Sequence, residues 1–310
     1  MERTIKNVNF LLGCFILITI FLGCSNMSER KPLGSKSNPI KFYFTPSGDA
    51  ENISQNSIEF VKFLEEETGY FFKTAVPISY IAVVEAFGTK KCDIAIINSF
   101  GYLLAHQRYG VEALLRIIRY GESVYRGQII AHVNSGINKI KDIHGKKFAF
   151  VDPSSTSGYL LPLKIFKENH IQPKETVFAM KHDNVVTMIY QRQVDAGATF
   201  YSPPTKNGKI RDARARVMTQ FPDVAEKIKI IKITDPISND PIAFRRDLPE
   251  NMKHKIIKAI LKFMETETGK KTLYNIYSVD GFIPTTDKDY ESLRNLLDTI
   301  GKGAEEFIEK

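Results

Sequence analysis

Cysteine is scarce: three occur in 310 residues, and two of them, Cys14 and Cys24, fall within or directly after the apolar run that opens the chain. Cys92 is then the one cysteine in the body of the chain, so no disulfide framework can be built. It sits in Cys92-Asp93-Ile94-Ala95-Ile96-Ile97, an apolar setting that reads as a buried structural thiol and not as a nucleophile or metal ligand. Histidine is sparse as well, six scattered positions with no zinc-ligand spacing, and no cofactor requirement is visible. After residue 23 no stretch is long and apolar enough to span a bilayer. A block of like charge is also missing. The formal net charge is +8, but basic residues are interspersed with acids, as in Lys62-Phe63-Leu64-Glu65 and Lys167-Glu168. That is a solvated surface with a mild pull on anions, or on anionic headgroups, and it lacks the stripe and motif of a nucleic-acid binder.

What is present is the composition of a folded chain, 43% hydrophobic and 25% charged. Its length exceeds one ordinary core, so two lobes are expected. Arg3 and Lys6 precede an almost wholly apolar stretch over residues 8–23, and Cys24 follows Gly23 before a polar run. This is the layout of a secretory signal over residues 1–23. The Gly23-Cys24 junction resembles a bacterial lipobox, which makes Cys24 the expected lipidated first residue of the mature chain. Phe21 departs from the leucine usual in that motif; Leu11-Leu12-Gly13-Cys14 fits it better but leaves too short an apolar core. An uncleaved anchor helix is the alternative, at about 16 apolar residues short for a span. Either way the remainder lies outside the cytoplasm.

Residues 24–39, rich in Ser, Lys, Asn, Pro and Gly, are expected to be a flexible tether. From Ile40 strand and helix patterns alternate. Strands are expected at 40–44, 71–74, 93–97, 114–118, 124–133, 147–151, 176–180, 194–199 and 227–233. Helices are expected at 57–68, 80–87, 157–168, 184–192, 250–264 and 290–297. The alternation predicts an α/β fold with parallel strands. Ligands of open α/β sheets sit beyond the carboxyl ends of the strands, which directs attention to the loops after Ile97, Val151 and Thr199.

The second of these loops carries the clearest chemistry: Val151-Asp152-Pro153-Ser154-Ser155-Thr156-Ser157-Gly158-Tyr159, a strand turning through hydroxyl residues into a helix. A helix N-terminus offers unpaired N–H groups and a partial positive charge, to which the Ser155, Thr156 and Ser157 hydroxyls add donors for an oxyanion. Gly158 is expected to let a ligand approach the backbone. The plain alternative is helix capping, for which Ser and Thr are favoured; three consecutive hydroxyls exceed what a cap needs. Asp152 and Asp195 read as structural, a turn and a strand end.

With these residues goes an ordered series: Tyr80-Ile81-Ala82, Cys92-Asp93-Ile94-Ala95 leading to Asn98-Ser99-Phe100-Gly101-Tyr102, Tyr125, Asn134-Ser135-Gly136-Ile137, and Lys141-Asp142-Ile143-His144-Gly145-Lys146. The hydroxyl run, His182, Val194-Asp195-Ala196-Gly197-Ala198 and Ile237-Ser238-Asn239-Asp240-Pro241 complete it. Over Ile40 to about Pro284 the chain resembles the phosphate-, phosphite- and phosphonate-binding proteins of ABC transporters, the PhnD-type solute receptors. The resemblance implies a type II periplasmic-binding fold: two α/β lobes joined by two crossing strands, with lobe 1 at 40–126 plus 243–310 and lobe 2 at 127–242. It implies a small phosphorus oxyanion as solute, a membrane permease and ATPase as partners, and no catalysis. It puts Ser155, Thr156 and Ser157 on the anion oxygens, Tyr80, Tyr125 and His182 as further donors, and Asp240 as acceptor from a P–OH or from the ammonium of an aminoalkylphosphonate. Tyr201 follows the Ala-Gly-Ala strand and is placed toward the cleft. Asn98-Ser99 stand where the family usually has Gly-Pro.

Each assignment has a bland counterpart: Asp240 as a turn residue before Pro241, His182 as a cap, Tyr80 and Tyr125 as half-buried aromatics. Three other functions are open at this point. Ser157, His182 and Asp240 name the parts of a hydrolase triad, although no Gly-x-Ser-x-Gly elbow is present. The same fold also serves sensing subunits or surface antigens, and it accommodates other solutes.

Overall fold

The computed structural model describes residues 31–300, with side chains to Leu297. The signal segment and Cys24 lie outside the described residues. Residues 32–39, expected as part of the tether, instead form a turn closed by Gly34 N–H on Asn38 O at 2.8 Å. Gly34 O in turn accepts Phe71 N–H at 2.8 Å, and Leu33 packs against the adjacent core, which fixes the segment to the sheet edge.

The chain then runs β1 (Ile40–Phe44), α1 (Ala50–Thr68), β2 (Phe72–Ala75), α2 (Tyr80–Gly88), β3 (Ile94–Ile96), α3 (Ser99–Tyr109), β4 (Glu112–Ile118) and β5 (Val124–His132). It continues through β6 (Lys147–Phe150), α4 (Leu161–Glu168), β7 (Glu175–Phe178), α5 (His182–Tyr190), β8 (Ala196–Tyr201) and β9 (Ile228–Ser238). Then come β10 (Pro241–Phe244), α6 (Glu250–Glu265), α7 (Glu267–Tyr277), β11 (Gly281–Pro284) and α8 (Glu291–Ile300). Helix α1 begins seven residues before its expected start because Asp49 caps it, accepting Asn52 N–H at 2.7 Å, and Ile53 extends the buried stripe of Ser57, Phe60 and Leu64.

Two sheets result, of order β11-β4-β10-β3-β1-β2 and β7-β6-β8-β5-β9. The expected parallel pairing holds for β1 with β2 and β3 and for β6 with β7 and β8. Both sheets are nevertheless mixed, because β10 lies antiparallel between β3 and β4, and β5 runs antiparallel to β8 and β9. Helices cover both faces of the first sheet: α1, α6 and α7 over Phe42, Phe44 and Ile94, and α2, α3 and α8 over Ala95 and Ile97. Cys92 is fully buried and burial pushes its thiol well up, as a structural cysteine requires.

The chain passes between sheets twice, over residues 119–123 and at Asn239-Asp240. These passages lie slightly before the expected boundaries at 126/127 and 242/243, since β5 is already paired to β9 from Val124 onward. Fully buried Asn239 holds the passages together. Its Nδ2 donates to Ile117 O at 3.1 Å and Glu122 O at 2.8 Å, and its N–H to Ser123 O at 2.9 Å.

Candidate functional site

Between the two sheets lies a cavity of about 290 Å³, and each of the three strand-end loops singled out in the sequence contributes to its wall. The hydroxyl turn is the most ordered of them. Buried Asp152 accepts both Ser154 N–H at 2.8 Å and Ser154 Oγ–H at 2.7 Å, which sets the turn after β6, as its structural reading expected. Ser155 then acts as a cap, its Oγ accepting Gly158 N–H at 3.1 Å. Residues Thr156–Leu160 form one wide turn, closed by Leu160 N–H on Ser155 O at 3.0 Å, before α4 takes the ordinary spacing. Such widened turns concentrate at functional sites. Ser155, Thr156 and Ser157 all line the cavity while being almost fully buried.

The capping reading holds for Ser155, and a capping oxygen leaves its hydroxyl hydrogen free to be donated elsewhere. The role expected of Gly158 is corrected. A Cβ at Gly158 would stand 2.4 Å from Val151 Cγ2, so its lack of a side chain serves packing on the strand behind. The glycine that lets the turn come close is Gly127 of β5, where a Cβ would meet Ser157 O at 3.1 Å.

Tyr80, Tyr125 and His182 converge on the same space from α2, β5 and the start of α5. Burial, followed by the charge of Asp152, raises the Tyr80 hydroxyl well above its ordinary value; burial, followed by Asp240, raises that of Tyr125. Both are protonated donors. Tyr80 is 2% exposed and its Oη has no hydrogen-bond partner among the described residues. His182 Nδ1 accepts Phe200 N–H at 3.3 Å, so the proton of the neutral ring sits on Nε2. Burial, reinforced by Arg216 and Arg119, lowers the pKa of His182 well below the usual histidine value and keeps it neutral.

Asn98 reaches the cavity but uses its Nδ2 to hold the turn, donating to Ser154 O at 2.7 Å. Ser99 and Tyr201 do not line it. Ser99 Oγ–H is donated to Ser238 O at 2.6 Å. Strand β8 runs through Tyr201, paired opposite Arg126, and strand alternation sends Phe200 and Ser202 to the cavity in its place. The triad reading fails on geometry too: the His182 ring nitrogen bonded within the protein faces a backbone amide, and Asp240 Oδ2 accepts from Arg119 Nη2 at 2.7 Å.

Arg119 itself was not foreseen, nor were Arg211 and Arg216. Arg119 Nε also donates to Tyr277 O at 2.8 Å, so the charge of Asp240 is compensated. Arg216 lies 4.7 Å above the Phe200 ring and donates across the mouth to Ser47 O. It keeps exposed surface where it lines the cavity, yet the protein packed around it desolvates and lowers its guanidinium. Arg211 stacks on Tyr120 at 4.1 Å. The one signal for Arg211 and Arg216 was position, in the loop beyond Thr199. As charges they look like the rest of the scattered basic surface.

A family described as ABC transporter, phosphonate, periplasmic substrate-binding protein matches residues 42–290. The chain is 25% identical over 243 residues to the phosphonates-binding periplasmic protein of Escherichia coli K12, covering 76% of this chain and 69% of that one. It is 25% identical to the phosphate-import protein PhnD of Mycolicibacterium smegmatis, over 90% and 91% of the two chains. Among solved structures, a binding component of an ABC phosphonate transporter from Pseudomonas aeruginosa aligns with TM-score 0.74 at 23% identity, covering 86% of each chain. PhnD1 from Prochlorococcus marinus, in complex with methylphosphonate, aligns with TM-score 0.72 at 18% identity, over 85% of this chain and 98% of that one. These likenesses establish the type II periplasmic-binding fold of two α/β lobes.

Proposed function

Since the chain belongs to the periplasmic substrate-binding proteins of phosphonate ABC transporters, a family of solute receptors and not of enzymes, we propose that its cavity takes up a tetrahedral phosphorus oxyanion. Phosphonate, phosphite and phosphate are the solutes this covers, and the names of its relatives span phosphonate, phosphate and phosphite. The observation that carries the reading is Tyr80. A buried hydroxyl without a partner costs about 1–3 kcal/mol, and this one faces the hydroxyl turn from the opposite lobe.

In this reading Ser155, Thr156 and Ser157 donate to the anion from one lobe, with Tyr125 and the Nε2–H of His182 beside them, and Tyr80 closes from the other. All are neutral, so they replace the hydration of the anion without fixing its charge state. Binding from both sides draws the lobes together. The loaded protein then meets a permease with its ATPase, and lipid on Cys24 holds it to the outer face of the membrane.

Thermal-shift measurements of the full chain with phosphate, phosphite, methylphosphonate, 2-aminoethylphosphonate and sulfate test the solute class. Stabilisation by at least one phosphorus oxyanion, growing with concentration, is expected; a response to sulfate alone, or to none, removes the reading. Intact-mass analysis of membrane-extracted protein checks the anchor, which requires a diacylglyceryl adduct on Cys24.

A further inference from the structure

The oxyanion donors make up only part of the cavity wall. At about 290 Å³ the cavity lies near the lower edge of the roughly 300–1,000 Å³ of small-molecule pockets, more than a five-atom anion fills. The rest of the wall includes Tyr120, Tyr274 and the segment carrying Lys209, Arg211 and Arg216. Charge is unbalanced there. The two aspartates lining the cavity are both engaged, Asp240 by Arg119 at 2.7 Å and Asp212 by Arg214 at 2.9 Å. Among the described residues Lys209, Arg211 and Arg216 have no carboxylate within ion-pair distance, and Asp183 acts on Arg216 only through space.

Arg211 is the best placed of the three. Its Nε donates to Pro203 O at 2.6 Å and its Nη2 to Pro204 O at 3.4 Å, while its plane rests on Tyr120, which meets Tyr274 edge-on at 6.5 Å. Nη1 is left without a hydrogen-bond partner among the described residues. The field of Arg211 is felt at Tyr274, whereas that of Arg216 reaches Tyr80 and His182. A guanidinium held flat and half-satisfied in this way is suited to a planar acid.

We propose that the preferred solute carries a second acidic group, a carboxylate on a short carbon substituent of the phosphorus, which Arg211 receives. This rests on the oxyanion reading above. It also reverses the preference for an ammonium tail that Asp240 suggested from sequence, since such a tail finds a compensated carboxylate and three cations.

Titration calorimetry of the full chain with 3-phosphonopropionate, methylphosphonate and 2-aminoethylphosphonate tests it. 3-Phosphonopropionate is expected to bind at least tenfold tighter than the other two. Arg211→Gln should abolish that margin while leaving methylphosphonate affinity within twofold, and Arg211→Lys should keep part of it. Equal or tighter binding of 2-aminoethylphosphonate, or a margin that survives Arg211→Gln, overturns the second-acid assignment and leaves the oxyanion site standing. Binding of none of the three sinks both.

Discussion

Thr156 Oγ1 accepts the backbone N–H of Phe100 at 3.0 Å, so the first turn of α3 in one lobe is capped by a side chain of the other. Asn98, at the cap position of α3 itself, makes no such bond to its own helix. Thr156→Val keeps the shape and removes the cap. A stability loss of about 1 kcal/mol in urea titration is expected, together with at least tenfold weaker oxyanion binding by calorimetry. Unchanged values in both measurements would show that the contact holds nothing.

Tyr80→Phe should separate binding from stability. Its hydroxyl is buried and unpartnered without solute, so removing it should leave the melting temperature equal or higher. Affinity for the oxyanion should fall about tenfold, as for one lost hydrogen bond to a charged group. A variant that melts lower and binds as before contradicts the assignment.

The neutral state of His182 fixes the sign of a pH effect. Its pKa is depressed in the folded protein, so its contribution is complete above the unfolded-state value of about 6.5 and is lost as pH falls below that value, toward the lower folded pKa. The limiting slope is about 1.4 kcal/mol per pH unit for one proton. His132 is depressed too, and carboxylates also titrate in acid, so the measurement is a comparison. Melting curves between pH 7.5 and 5.5 should fall less steeply for His182→Gln than for the parent chain; parallel curves would mean that His182 is not held neutral.

Gly127→Ala places a methyl group 3.1 Å from Ser157 O and 3.0 Å from Thr234 Cγ2. Something must yield by a few tenths of an ångström, and the hydroxyl turn is one of the two. Oxyanion affinity is expected to drop at least fivefold with a small loss of stability, about 1 kcal/mol. Gly158→Ala, pressed against Val151, should instead cost stability first.

Much of this was legible from the chain. Strands β1 to β9 and most of the amphipathic helices announced themselves through apolar periodicity, whereas β10, β11 and α7 went unread; the hydroxyl run after β6 stood out because it exceeds what a cap needs. Helix α3 did not, since Phe100, Leu103, Leu104 and Ala105 are buried all round it and leave no polar face to mark a period. Tyr201 was misplaced because β8 extends two residues further than its apolar run suggests, and in a strand one position decides the face. The arginines were invisible for a different reason. Arg119 acquires meaning from Asp240, 121 positions away, and Arg216 from Ser47, 169 positions away, and no local pattern encodes either partner.

Asn239 has a mechanical consequence. Standing in the second passage and bonded to Ile117 O at the end of β4 and to Glu122 O and Ser123 O in the first, it ties the two connections to each other at one buried node. The Thr156–Phe100 contact and the Arg216 bond to Ser47 also bridge the lobes, so opening the cavity requires both to break.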